Sequence, residues 1–162
     1  MPKILTILAA AGAVAVALAF ATTATGTSRP GTEHFSLINI STHESHTYSA
    51  IATGAFTAGG TAIITNGSTA VTLRFPNGTI KLSNKPAPPK TTSNASCLLQ
   101  ETSHSTYTIL SGTGTYKAIS GSGHDTSSAT FVGAMVNGKC SNNTPATAIQ
   151  IIDTATGPIS IH

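Results

Sequence analysis

After Pro30 the chain alternates apolar and polar residues with a period of two, and no apolar set worth calling a helix recurs at i, i+3, i+4, i+7. The clearest stretch is Val71-Thr72-Leu73-Arg74-Phe75, where Val71, Leu73 and Phe75 point one way and Thr72 and Arg74 the other. Thr79-Ile80-Lys81-Leu82 continues the pattern after Pro76-Asn77-Gly78. Asn-Gly between alternating apolar residues is a strong hairpin signal, so the pattern predicts Phe75 opposite Ile80 and Leu73 opposite Leu82. Arg74 and Lys81 then share a wet outer face. Further strands are predicted over residues 34–42, 47–53, 61–65, 96–101, 106–110, 126–136, 146–153 and 159–161. The first has apolar residues on both faces, Phe35 and Leu37 against Ile38 and Ile40; in the longest, Phe131 and Met135 oppose Thr130, Val132, Ala134 and Val136. Residues 84–94 break the pattern. Their Pro86, Pro88 and Pro89 cannot donate to a ladder, so the segment reads as an extended surface loop, either mobile or functional. Many short antiparallel strands with turn signals between them predict an all-β fold, a barrel or a β-sandwich.

The first residues follow a different rule. Met1-Pro2-Lys3 is a short positive start, Ile4 to Phe20 is nearly all apolar, and Ala19-Phe20-Ala21 is an A-x-A site. This order predicts a secretory signal peptide, residues 1–21, helical and outside the fold, cleaved after Ala21. An uncleaved anchor is the alternative, although the run is marginal against the roughly 20 residues that span a bilayer. Residues 22–33 read as a flexible leader, and residues 34–162 as one domain. The expected location is therefore secreted, extracellular or in the cell envelope, with no stable membrane insertion after cleavage. The Ala-rich apolar run has a bacterial look.

Composition sharpens this picture. The 162 residues are 40% hydrophobic and only 8% charged, with more than a quarter Ser and Thr and no Trp. The Ser and Thr content favours strands and turns over helices. A net charge of +3, with its few Lys dispersed and no aromatic platform beside them, argues against nucleic acid as a partner. Cys97 and Cys140 are the only cysteines. In an exported chain an even count predicts a disulfide, closing a loop of about 40 residues and contributing roughly 4 kcal/mol at best. Two free buried thiols are the alternative. Two cysteines without CxxC spacing make no zinc site, and no cofactor or metal is expected.

Residues 112–123, Gly-Thr-Gly-Thr-Tyr-Lys-Ala-Ile-Ser-Gly-Ser-Gly, are the most distinctive stretch. They fail as a dinucleotide fingerprint and as a P-loop, because the spacing, the Gly-Lys-Ser/Thr ending and the following helix are all missing. Gly112, Gly114, Gly121 and Gly123 instead suit a tight structural corner, with Tyr116 and Ile119 as apolar plugs. The segment resembles the Gly-x-Gly-x-Tyr/Phe-x-x-x-x-Gly corner of the allene oxide cyclase and dirigent superfamily, with Ala118 where glycine is expected. The strand order is compatible over roughly residues 34–161. The resemblance implies an eight-stranded antiparallel barrel with an apolar interior. Plant members of that superfamily cyclise or orient reactive small molecules; the resemblance carries none of their catalytic residues over to a position of this chain.

Other chemistry is sparse. His43-Glu44-Ser45-His46 lacks H-E-x-x-H spacing and reads as a solvated turn. Ser122, His124 and Asp125 are triad residue types without a nucleophile elbow. Glu101 shares strand parity with Cys97 and Leu99. If it faces the interior it is a candidate acid or base, with Tyr107 as a neighbouring hydroxyl; otherwise it is a wet strand end. Three functions follow. The first is a barrel holding an apolar small molecule, the second an isomerase or cyclase-type enzyme, and the third a non-catalytic surface protein of the cell envelope. A cavity would favour the first two, and a buried polar group at its base the second.

Overall fold

The computed structural model describes residues 29–42, 45–65, 67, 69–94, 96–141 and 143–162. The expected signal peptide, its expected cleavage after Ala21, the expected leader as far as residue 28 and the His43-Glu44 pair lie outside the described residues. The strands are β1 (Arg29–Ser41), β2 (Thr47–Gly54), β3 (Ala58–Thr65), β4 (Ala70–Phe75), β5 (Gly78–Pro86), β6 (Lys90–Ser93), β7 (Leu98–Gly112), β8 (Ser120–Val132), β9 (Met135–Val136), β10 (Lys139–Cys140) and β11 (Ala148–Ile161). A 3-10 turn, Gly114–Tyr116, lies between β7 and β8. Among the described residues, no helix is long and apolar enough to cross a membrane.

Each of β1 to β4 pairs antiparallel with the next, and β5, β7, β8, β11 and β1 complete the circle. This is a closed eight-stranded antiparallel barrel, and the β5–β7 pairing that shuts it removes the sandwich alternative. β6 extends the wall beyond β5, on the same neighbour β7. β9 and β10 form a small hairpin between β8 and β11.

Large inward side chains meet small ones across the ladder. Phe35 lies between Ala52 and Ala155, Leu73 pairs with Ala62, and Tyr107 pairs with Gly123. Such alternation lets a narrow barrel fill without strain. One end is sealed by Phe56, Phe75 and Tyr116, whose ring centres stand 4.9 to 5.9 Å apart, with Ile119 also buried. Outside, Ile38, Ile40, Ile51 and Ile152 remain exposed.

Several elements differ from the pattern-based expectation. The hairpin pairs Phe75 with Gly78, Leu73 with Ile80 and Val71 with Leu82, two residues out of the expected register. Pro76 and Asn77 form the turn; proline's fixed φ suits the first turn position, and this displaces Asn-Gly. A shift of two preserves the faces, so Arg74 and Lys81 are still outside. β1 starts at Arg29, within the expected leader, because the long β11 partners it back to Ile161. Residues 96–101 and 106–110 belong to one strand, β7, which begins after Cys97; residues 146–153 and 159–161 are likewise merged in β11. The strand expected over 126–136 runs instead from Ser120 to Val132. The expected loop 84–94 is partly strand: β5 runs to Pro86, and Lys90–Ser93 pairs with β7.

Candidate functional site

The half of the barrel away from the aromatic seal is hollow. It holds a cavity of about 550 Å³, within the range of small-molecule sites. Register sorts its wall into levels. Glu101, Ala129, Ile151 and Asn39 lie in one cross-strand row; Ser103, Ser127, Asp153 and Leu37 in the next; Ser105, Asp125, Ala155 and Phe35 in the third; Tyr107, Gly123, Gly157 and Glu33 in the fourth. The rows run from the mouth toward the seal. Pro86, Ala87, Pro88 and Pro89 line the cavity too, so the proline-rich segment forms part of the rim.

The two sides of the cavity differ chemically. β1 to β5 contribute Phe35, Leu37, Ile64, Val71, Leu73 and Leu82, an apolar wall. β7, β8 and β11 contribute Glu101, Ser103, Ser105, Asp125, Ser127 and Asp153 among the apolar Ala129, Phe131, Ile151 and Ala155, a mixed wall that bears all three carboxyl groups. Inward positions are mostly apolar on one side, while on the other acids and serines stand among apolar residues.

Asp125 and Asp153 are both buried. The Ser105 hydroxyl donates to Asp125 Oδ2 at 2.7 Å. Burial raises the Asp125 pKa, opposed by that bond and by the Thr126 N–H. Burial pushes the Asp153 carboxyl up to about 6; the Ser127 hydroxyl opposes the rise and the Asp125 charge adds to it. These acids stand at diagonal positions on neighbouring strands, where Cα atoms are roughly 7–8 Å apart.

Tyr107 is 1% exposed, and its hydroxyl has no hydrogen-bond partner. Burial pushes that hydroxyl up to about 12, and the Glu33 and Asp125 charges add to the rise. Gly123 makes room for the ring: a Cβ there would stand 2.7 Å from Tyr107 Cε1. Glu33 is fully buried toward the seal. Its Oε2 accepts the Phe56 N–H at 3.1 Å and its Oε1 is unpartnered. Burial raises its pKa, against backbone N–H bonds from Phe56, His34 and Ala55.

Of the residues singled out from sequence, Glu101 and Tyr107 both line the cavity, three levels apart. Ser122 and His124 are exposed while Asp125 points inside, so the triad types do not converge. Gly112, Gly114, Tyr116, Gly121 and Gly123 surround the corner between β7 and β8, where Gly114 has φ +60° and a Cβ would stand 2.0 Å from the Asn77 carbonyl oxygen. Cys97 and Cys140 form a disulfide with Cα atoms 5.2 Å apart, tying the turn before β7 to the β9–β10 hairpin. Asp153 and Glu33 were missed. Parity was the available signal, since Asp153 alternates with Ile151 and Ala155, and Glu33 with Phe35 and Leu37. Among the described residues, no group of three or more His, Cys, Asp and Glu is placed to hold a metal ion.

Comparison with protein-family models, curated proteins and solved structures finds no match to this chain.

Proposed function

We propose that this protein binds a small, largely apolar molecule inside its barrel, entering at the proline-rich rim and stopping at the aromatic seal. The observation that carries this reading is the cavity of about 550 Å³ with a largely apolar wall on one side. Small barrels are either filled by their own side chains or hollow enough for one ligand. A hollow interior supports the ligand-binding reading over a barrel that acts only through its surface. The disulfide fits a protein working in an oxidising, extracellular setting. The closed eight-stranded barrel is compatible with descent from the allene oxide cyclase and dirigent superfamily, which the glycine corner suggested.

A second reading is an enzyme of the cyclase or dirigent sort. One observation favours it: a buried carboxyl, Asp153, whose pKa of about 6 suits it to exchange protons with a bound molecule. Turnover separates the two. A container releases its ligand unchanged, whereas an enzyme returns an isomer.

The test of binding uses a neutral apolar probe, decan-1-ol, titrated into isotope-labelled protein and followed by NMR. The expected result is saturable shifts at Leu73, Leu82 and Ile151, with none at the outward-facing Ile51 and Leu110. Shifts confined to the outer residues, or none up to the solubility limit, would overturn the proposal.

A further inference from the structure

We infer that the cavity recognises its ligand as a cation: an apolar amine whose ammonium group lies between Asp125 and Asp153 while its hydrocarbon body lies against Leu37, Val71 and Leu82. This inference rests on the reading of the barrel as a small-molecule container and names the class of molecule it takes.

Charge is the first argument. Glu101, Asp125 and Asp153 line one cavity, and among the described lining residues there is no Lys, Arg or His. A buried carboxylate without a counter-charge is costly, and removing a partner from such a pair is more costly still. The barrel supplies hydroxyl donors instead, Ser105 to Asp125 and Ser127 to Asp153. These orient the carboxyl groups but bring no positive charge. A ligand cation completes the site.

Geometry is the second argument. The two aspartates occupy diagonal positions on β8 and β11, a spacing that one ammonium between them can bridge. One level nearer the seal, Tyr107 borders the same cavity, and its hydroxyl is buried without a hydrogen-bond partner. An alkylammonium carries three N–H donors. The Asp125 and Asp153 carboxyl groups can accept from it together, one on either side. The opposite, apolar wall selects against a small hydrated ion, because it offers such an ion nothing in exchange for its water.

The pH dependence follows from the groups that face this position. Glu101 and Tyr107 come from β7, Asp125 from β8, Asp153 from β11 and Tyr48 from β2, with Glu33 of β1 beneath Tyr107; β3, β4 and β5 present no titratable side chain to the cavity. A bound ammonium draws the two raised aspartate pKa values back down, so at pH values where Asp153 is protonated in the free protein, below about 6, uptake is coupled to loss of protons. An alkylammonium, like that of lysine, keeps its own proton up to roughly pH 10. Acidification therefore neutralises the site and leaves the ligand charged.

The test compares three head groups on one tail. Decylamine, decan-1-ol and decanoate, each below its critical micelle concentration, are titrated into the oxidised chain at pH 8, and the amine and alcohol again at pH 5. The amine is expected to bind at least about tenfold tighter than the alcohol at pH 8, with decanoate weakest, and the amine's advantage should shrink at pH 5. An Asp125→Asn, Asp153→Asn double variant should bring the amine-to-alcohol affinity ratio close to one. The wild-type comparisons decide the matter even if that variant fails to fold. Alcohol binding as tight as amine, or an amine advantage unchanged at pH 5, overturns the cation and leaves the container standing. If none of the three binds, the container reading itself fails and the inference falls with it.

Discussion

Asp153 sits in the wall of a barrel with only its serine neighbour and no cation to support it, and this has a consequence for stability that is opposite to the common one for carboxylates. Its folded pKa is about 6 against the usual 3.8. Between these values the folded chain holds a proton that the unfolded chain has released. Stability therefore falls as pH rises through roughly 4 to 6, by about 3 kcal/mol in all, and stays reduced above that window. Asp125 and Glu33, both raised by burial, act in the same direction. Asp153→Asn keeps an acceptor for Ser127 and removes the charge. Thermal melts are expected to show the variant more stable than wild type at pH 7, with the difference vanishing near pH 4. A wild type that melts higher than the variant at pH 7 would mean that the carboxylate is stabilised by something other than the contacts described. The residue was hard to recognise beforehand for a physical reason. Strand parity places Asp153 inside, but an inward aspartate contradicts the rule that the buried face is apolar, unless the interior is known to be hollow. Parity with Leu99 marks Glu101 as inward, and Tyr107 follows at the same parity farther along the stretch.

At the level of elements, the apolar wall was legible and the mixed wall was not. Val71, Leu73, Phe75, Ile80 and Leu82 alternate with polar residues and lie inside β4 and β5. In β7, Gln100 through Thr106 carry no apolar residue, because the inward positions Glu101, Ser103 and Ser105 face the cavity. The period-two signal disappears there, and one strand of 15 residues reads as two short ones. The same loss in Asp153 through Pro158 divides β11. Cysteine arithmetic, which depends on compartment and not on periodicity, pointed to the crosslink without any strand assignment. The disulfide joins residues 43 apart and fastens the turn before β7 to the hairpin between β8 and β11. Replacing both cysteines with serine is expected to lower stability by up to about 4 kcal/mol, chiefly by freeing the unfolded chain. Reductant should then lower the melting temperature of the wild type and leave the variant unchanged. Identical melts for the two proteins without reductant would remove the crosslink from the account.

At the scale of the molecule, closure and emptiness are separable. The ladder from β1 round to β11 is made of backbone hydrogen bonds, and the aromatic seal packs one end, so the empty volume itself does not hold the barrel shut. A bulky side chain placed in the cavity should then be accepted by the fold and exclude a ligand. Ala129 is the suitable position. It lies at the mouth level, opposite Glu101 and Ile151, and lines the cavity. Gly123 is the contrasting one, since even a methyl group there would meet the Thr156 carbonyl oxygen at 2.2 Å and the Tyr107 ring. Ala129→Trp is expected to change stability by no more than about 1 kcal/mol, since its indole enters open space, while Gly123→Ala should cost several times that through overpacking. Decan-1-ol binding should fall by at least about tenfold in the tryptophan variant, because the volume it used is taken. A variant that folds as well as wild type and still binds the probe would place the ligand outside the barrel. A variant that unfolds would show that the mouth level is packed more tightly than its lining suggests, and that the cavity is part of what keeps the barrel closed.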